Sequence, residues 1–269
     1  MEELRIFFCT LDLPVSLHHT STYVSAVLIV MWGVRLTRNF ARKGGYSGEE
    51  DYRWTIVRSV AKKRDPFHPL GQEIFSFSFV AVYQTLLIWA FSALPMWQVT
   101  CHRSSLNFGD LLVFSIALLA LAGETWADEV QFAYQRAKYA MTPAQRAAAG
   151  GDYARGFCTG GPFRYSRHLN FFCEQLFWVC MYCFTLSAGA PIVNIGGAGC
   201  VALVLLFQGS TWFTELISCG KYPDYYTYQV TTSKLVPWIP GPALDSMEGE
   251  SLGRQARASR NASKVKASR

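Results

Sequence analysis

Five stretches of this sequence are long and apolar enough to cross a lipid bilayer as helices, and that fact limits the folds open to it. A hydrocarbon core about 30 Å thick needs roughly 20 mostly apolar residues in a helix. The qualifying windows run from about Thr20 to Leu36, Glu73 to Pro95, Gly109 to Gln131, Phe171 to Ala190 and Val193 to Leu216. The first is the weakest, because His18 and His19 stand at its start. Charged residues make up only 16% of the chain, against roughly 25% in soluble domains. Met1 to Pro14 is too short and too mixed to span alone, and it lacks the basic start and small-residue cleavage site of a signal peptide. It reads as a partial or re-entrant helix. The expected fold is all-α: a polytopic integral membrane helix bundle of about five to six spanning helices.

Loop charge gives this bundle an orientation. The stretch between the first two windows carries Arg38, Arg42, Lys43, Arg53 and the Lys62-Lys63-Arg64 run. The stretch between the third and fourth carries Arg136, Lys138, Arg146, Arg155, Arg164 and Arg167, and the end of the chain is basic again. Of the two remaining loops, one has Arg103 as its only basic residue and the other has none. Cytosolic loops are enriched in Lys and Arg, so five spans place the basic segments in the cytosol and the N-terminus on the other side. The net charge of +6 then reflects topology, and no nucleic-acid partner is expected.

Residues 1–240 read as one membrane-embedded domain. From Gly241 the composition turns to Ser, Arg, Lys and Ala. Such a segment buries too little apolar surface to fold, so 241–269 is expected to be a disordered basic cytosolic tail, drawn to anionic lipid. Asn261-Ala-Ser matches a glycosylation sequon, on the side where it would go unused. Thr142-Pro143 opens a short helix in the loop from Ala140 to Gly161. The eight cysteines are scattered. Cys180 and Cys183 form C-x-x-C inside an apolar window and read as small packing residues. No metal site is expected, since no further ligands stand at metal spacing.

Ionisable residues inside spans are costly and point to function. Glu124 and Asp128 are four apart at the end of the third window and share a helix face. Arg167, Asn170 and Glu174 line one stripe at the start of the fourth, with Phe171 beside them, and His168 adds a further polar group there. Glu215 lies near the end of the fifth, and Arg35 and Arg38 near the end of the first. Taken singly, each fits an ion pair that fixes helix packing. Together, their convergence on the cytosolic helix ends points to a polar cavity whose guanidinium groups can hold phosphates. No P-loop and no strand-to-helix G-x-G-x-x-G is present, so any nucleotide is held by the bundle itself. Gly196-Gly-Ala-Gly199 reads as a turn with close helix packing.

The segment Gly161-Pro-Phe-Arg-Tyr-Ser-Arg-His-Leu-Asn-Phe-Phe-Cys-Glu174 resembles the signature of the steroid 5-alpha-reductase and sterol-reductase superfamily. Residues 32–45 and 49–54, with Lys221 to Tyr226 and Leu235 to Pro240, resemble that superfamily's uncharacterised membrane branch, known only as a domain of unknown function. The resemblance implies a helical membrane reductase that uses NADPH in a cytosol-facing cavity, takes a lipid or steroid-like substrate from the bilayer, and sits in the endoplasmic reticulum or another endomembrane. By position, Asp128, Tyr165, Asn170, Glu174 and Tyr222 match cofactor-contacting residues. Arg38 matches a basic residue of the first motif, and Arg167 and His168 belong to the signature.

Two departures from the pattern stand out. Leu169 replaces a proline of most relatives, which removes no chemical group. Arg35 occupies the place of the tyrosine that polarises the substrate carbonyl in the steroid enzymes, leaving Tyr52, Tyr83 and Arg35 as candidates for the polarising donor. Two other functions remain open. An isoprenylcysteine-type methyltransferase using S-adenosylmethionine shares a related Arg-His motif and a late acid, here Glu215. A non-catalytic membrane protein of the same fold is the other.

Overall fold

A computed structural model describes residues 20–47, 74, 76–102 and 106–267. Its long helices are α1 (Thr20–Arg42), α2 (Gln84–His102), α3 (Phe108–Ala140), α6 (Leu169–Ser187), α7 (Gly196–Lys221) and α9 (Met247–Ala267). The short helices α4 (Pro143–Ala149), α5 (Gly151–Arg155) and α8 (Tyr225–Thr231) fill the connections. There is no strand among the described residues. Five helices are long and apolar enough to span: Thr20–Arg42, Phe77–His102, Phe108–Ala140, Leu169–Ser187 and Gly196–Lys221. Large apolar side chains along them face outward, among them Val30 (64% exposed), Leu119 (72%), Leu205 (66%) and Trp212 (63%). Water would penalise that arrangement, whereas lipid is its natural solvent. The chain is a multi-pass membrane protein.

The spans follow the apolar windows, with shifted ends. The second window stops at Pro95, yet α2 continues to His102 with Pro95 buried inside it. Proline removes one backbone hydrogen bond, a loss that membrane helices tolerate because neighbours re-satisfy the freed carbonyl. α3 outruns its window to Ala140, because Ala, Gln, Arg and Lys are all good helix formers. Glu73, the start of the second window, lies outside the described residues, as does the segment Met1 to Pro14.

The largest difference is at the C-terminus. Where the composition predicts a disordered tail, Met247–Ala267 is the helix α9. Its first turn carries Glu248 and Glu250, which oppose the positive end of the helix dipole. Its body is rich in Ala and Arg, and its first half is docked on the fold. A Cβ at Gly253 would lie 2.0 Å from Thr227 Oγ1, and Arg257 Nη2 donates to Asp224 Oδ1 at 2.9 Å.

The chain divides into two compact units. One takes the chain up to Leu118 with Phe177–Val204; the other takes Leu119–Leu176 and the chain from Leu205 on. In the first, Phe91 and Trp178 are fully or nearly fully buried and meet at 4.2 Å between ring centroids, with Trp32 4.8 Å from Trp178. Asp110, 1% exposed, accepts hydrogen bonds from the Ser21 hydroxyl and the Asn107 amide, both at 3.0 Å. Gly199 lets α7 touch α2: a Cβ there would fall 2.3 Å from backbone atoms of Ala90 and Phe91.

Candidate functional site

The second unit is built around the signature segment. Gly161–Arg164 forms a tight 3-10 turn entered through Gly161, whose φ of +58° suits a glycine. α6 starts at Leu169 without a proline. A later stretch of chain, residues 228–238, holds the turn in place through hydrogen bonds that each involve at least one backbone group. The Tyr228 hydroxyl donates to the Phe163 carbonyl. The Arg167 amide donates to Ser233 O at 2.9 Å, the Trp238 amide to Tyr165 O at 3.0 Å, and the Ser166 hydroxyl to Leu235 O at 2.6 Å.

At the centre of this clasp lies Glu215 of α7, 8% exposed. Its Oε1 accepts from Arg167 Nε at 2.7 Å and faces His168 Nε2 at 3.2 Å, and its Oε2 accepts from Gln229 Nε2 at 2.9 Å. A carboxylate only accepts, so His168 is the donor of this contact in the tautomer with its proton on Nε2. The His168 ring also stacks on Phe171, with 5.4 Å between centroids and 22° between planes. Arg167 Nη1 donates to Gln229 O at 2.8 Å and to Thr232 O. With five donors in a planar fork, Arg167 spends at least two on the protein itself. Its side chain is 6% exposed, so it ties segments together and is not placed as an open phosphate clamp.

Asn170 and Glu174 are half-buried and one turn apart on α6. α3 runs close beside them: a Cβ at Gly123 would lie 3.0 Å from Cys173 Sγ. The following residues of α3 supply Glu124 and Asp128, 4% and 7% exposed. Further along α3 stands Lys138, 6% exposed, donating to Gly156 O at 2.6 Å and Tyr222 OH at 3.2 Å. Its ammonium lies 5.3 Å from the Tyr222 ring centroid and 5.9 Å from that of Tyr134, near enough for cation–π attraction. Among the described residues no carboxylate lies within ion-pair distance of it.

A second polar node closes the loop from Gly150 to Gly161. Asp152 accepts from Thr159 N at 2.7 Å, Thr159 Oγ1 at 2.6 Å, Gly160 N at 3.1 Å and Arg155 Nη2 at 2.7 Å. Burial pushes the Asp152 carboxyl up, but the Thr159 hydrogen bonds and Arg155 outweigh it and hold it below the usual range. Burial pushes the neighbouring Cys158 thiol up to about 11. The phenols of Tyr225 and Tyr228, packed with Phe157 and Cys219, are also raised by burial. A cleft of about 240 Å³ in this unit is lined by Arg155, Asp224, Asp245, Glu250, Arg254 and Arg257 among others. None of the signature residues lines it, and its arginines pair with its acids.

The residues singled out from the sequence therefore distribute as follows. Asp128, Arg167, His168, Asn170, Glu174 and Tyr222 lie in the second unit. So does Tyr165, which is 47% exposed and tied by its carbonyl. Arg35 and Arg38 lie on α1 of the first unit, half-buried and exposed respectively. Tyr83 is in that unit too, 37% exposed and stacked on Phe79 at 5.3 Å. Tyr52 and the segment around it lie outside the described residues. No cluster of three or more His, Cys, Asp or Glu able to hold a metal occurs among the described residues. Sequence reasoning missed Lys138, which looks like one more positive-inside charge. It also missed the full set of partners of Glu215, whose only signal was an acid in an apolar helix.

Residues 6–232 match the family described as "Protein of unknown function (DUF1295)", and the chain belongs to it. The chain is 32% identical over 235 residues to the Uncharacterized protein C594.04c of Schizosaccharomyces pombe, a match covering 84% of this chain and 66% of that relative. This chain thus spans just under two thirds of that relative's length. No solved structure matches it.

Proposed function

We propose that this DUF1295 membrane protein is an NADPH-dependent oxidoreductase that reduces a carbon–carbon double bond in a lipid or steroid-like substrate. In the same reading it resides in the endoplasmic reticulum or another endomembrane, with its basic segments in the cytosol. The observation that carries the proposal is the pairing of Asn170 and Glu174 on one face of α6, at a helix start pinned by Arg167, His168 and Glu215. The resemblance of residues 161–174 to the steroid 5-alpha-reductase signature points the same way.

The donor set fits a dinucleotide. Asn170 offers an amide for a carboxamide, and Glu174 and Asp128 offer carboxylates for ribose hydroxyls. Lys138 is a buried cation whose observed partners are a carbonyl and a phenol, which suits a phosphate. NADPH, when bound, supplies hydride to the β carbon of an activated alkene; a proton goes to the α carbon. Arg167 acts as a positioning residue: its links to Glu215, Gln229 and Thr232 fix the turn from which α6 starts. A donor that polarises the substrate carbonyl is sought among Tyr52, Tyr83 and Arg35.

The test is cofactor titration of the purified protein in detergent. NADPH is expected to bind and to raise the melting temperature, with Asn170→Ala and Glu174→Gln weakening binding about 10-fold or more. Substitution of Tyr52, Tyr83 and Arg35 in turn then assigns the donor by loss of NADPH oxidation with an enone lipid. Absence of NADPH binding would sink the reading. A second reading, methyl transfer from S-adenosylmethionine, draws on the pairing of Arg167 and His168 with a late acid, Glu215. Stabilisation by that cofactor and not by NADPH would favour it, and binding of neither would favour a non-catalytic protein.

A further inference from the structure

The last helix is strongly basic. From Ser251 onward the sequence holds Arg254, Arg257, Arg260, Lys264, Lys266 and Arg269, and no acid follows Glu250. Two of these cations have visible carboxylate partners. Arg254 lies 3.5 Å from Glu250, with both side chains well exposed, and Arg257 lies 2.9 Å from Asp224. The remaining four follow the last of these anchors in the sequence. In the sequence Arg257, Arg260 and Lys264 stand three and four positions apart, the spacing of neighbours on one helix face.

The place where α9 is anchored matters as much as its charge. α7 is a spanning helix that ends at Lys221, and α8 begins four residues later at Tyr225. α9 docks on α8 through Gly253 against Thr227 and through Arg257 with Asp224. Its first half is therefore fixed close to the end of a span, where the hydrocarbon gives way to headgroups. At 1.5 Å per residue a 21-residue helix reaches about 30 Å, far enough to run along that surface. Its sequence is too polar to enter the hydrocarbon, so any attraction is electrostatic.

We propose that the cationic half of α9 rests on anionic phospholipid headgroups of the bilayer that holds the spans. The leaflet is the one toward which the basic loops face, and it is the anionic one in most cell membranes. This inference is independent of the reductase reading.

The experiment is hydrogen–deuterium exchange on the full chain in lipid nanodiscs, with phosphatidylcholine alone or mixed with phosphatidylserine. Amides of residues 258–267 should exchange about 10-fold more slowly in the phosphatidylserine discs, since each surface cation adds to the attraction. The protection should vanish in 1 M salt, where the Debye length is about 3 Å. It should also vanish in the variant Arg260→Gln, Lys264→Gln, Lys266→Gln, Arg269→Gln, while α8 exchanges as before and so reports an intact fold. Equal exchange in the two lipids would overturn the proposal. So would protection in phosphatidylcholine alone, or protection that requires an added acidic protein.

Discussion

Arg167 donates its Nε proton to the Glu215 carboxylate across 2.7 Å, with the two side chains only 6% and 10% exposed. The two residues are 48 apart in sequence, so the pair ties the start of α6 to the end of α7. A buried pair of this kind is not an efficient source of net stability, because desolvation offsets most of the attraction. Its value lies in geometry: Arg167, His168 and Gln229 converge on this one carboxylate, and a displaced Glu215 releases all three contacts.

Glu215→Leu should therefore destabilise the protein by about 3–5 kcal/mol, since it strands a buried guanidinium. The double variant Arg167→Met, Glu215→Leu should recover part of that loss. Thermal unfolding in detergent checks both, and additive losses would show that the pair is not coupled.

The thiol of Cys158 should be slow to react. Burial raises it from about 9 to about 11, so almost none is thiolate at neutral pH. Alkylation followed by mass spectrometry of this residue should stay slow through pH 8 and accelerate toward pH 11. The linkage has a definite sign. The folded state favours the neutral thiol, so its stabilising contribution is complete below about pH 9 and is lost as pH rises through about 11.

Asp152 behaves in the opposite sense. Its carboxyl is held below the ordinary 3.8, so its contribution is present above about pH 4 and is lost on acidification through the lower, folded value. Asp152→Ala should cost about 2 kcal/mol through its charge-assisted bonds. The amides of Thr159 and Gly160, which donate to Asp152, should then exchange faster in hydrogen–deuterium measurements.

Two glycines of α7 should respond oppositely to alanine. Gly199→Ala drives a methyl to 2.3 Å from the Ala90 and Phe91 backbone and should lower the melting temperature by several degrees. Gly209 has nothing within 4 Å of its added methyl, so Gly209→Ala should be neutral or stabilising by up to about 1 kcal/mol. Melting curves of the two variants decide the matter.

The spans were legible because apolar length is a strong signal, and the start of α4 was legible from Thr142-Pro143. The end of α2 was not, because Pro95 reads as a stop wherever no neighbour compensates for it. α9 was hidden for a different reason. Its composition is that of an unfolded chain, and what holds it is a glycine at 253 that lets a backbone approach Thr227, together with the pairing of Arg257 with Asp224. In the site, Glu215 announced that it needed a partner, but the distance in sequence to Arg167 and His168 left the choice open. Lys138 gave no warning, since a lysine at a helix end normally belongs to solvent.

The clasp of residues 228–238 over residues 163–167 bears on how the protein is made. Each of its bonds joins groups 62 to 73 positions apart, from the Arg167 guanidinium on Gln229 O to the Trp238 amide on Tyr165 O. The signature turn is synthesised long before the residues that secure it, and α6 and α7 must enter the membrane in the interval. A ribosome stalled at Gln229 would thus leave the turn without most of its fastenings, however complete the five spans already were. The arrival of Ser233, Leu235 and Trp238 then secures a turn whose own residues were made before α6 and α7.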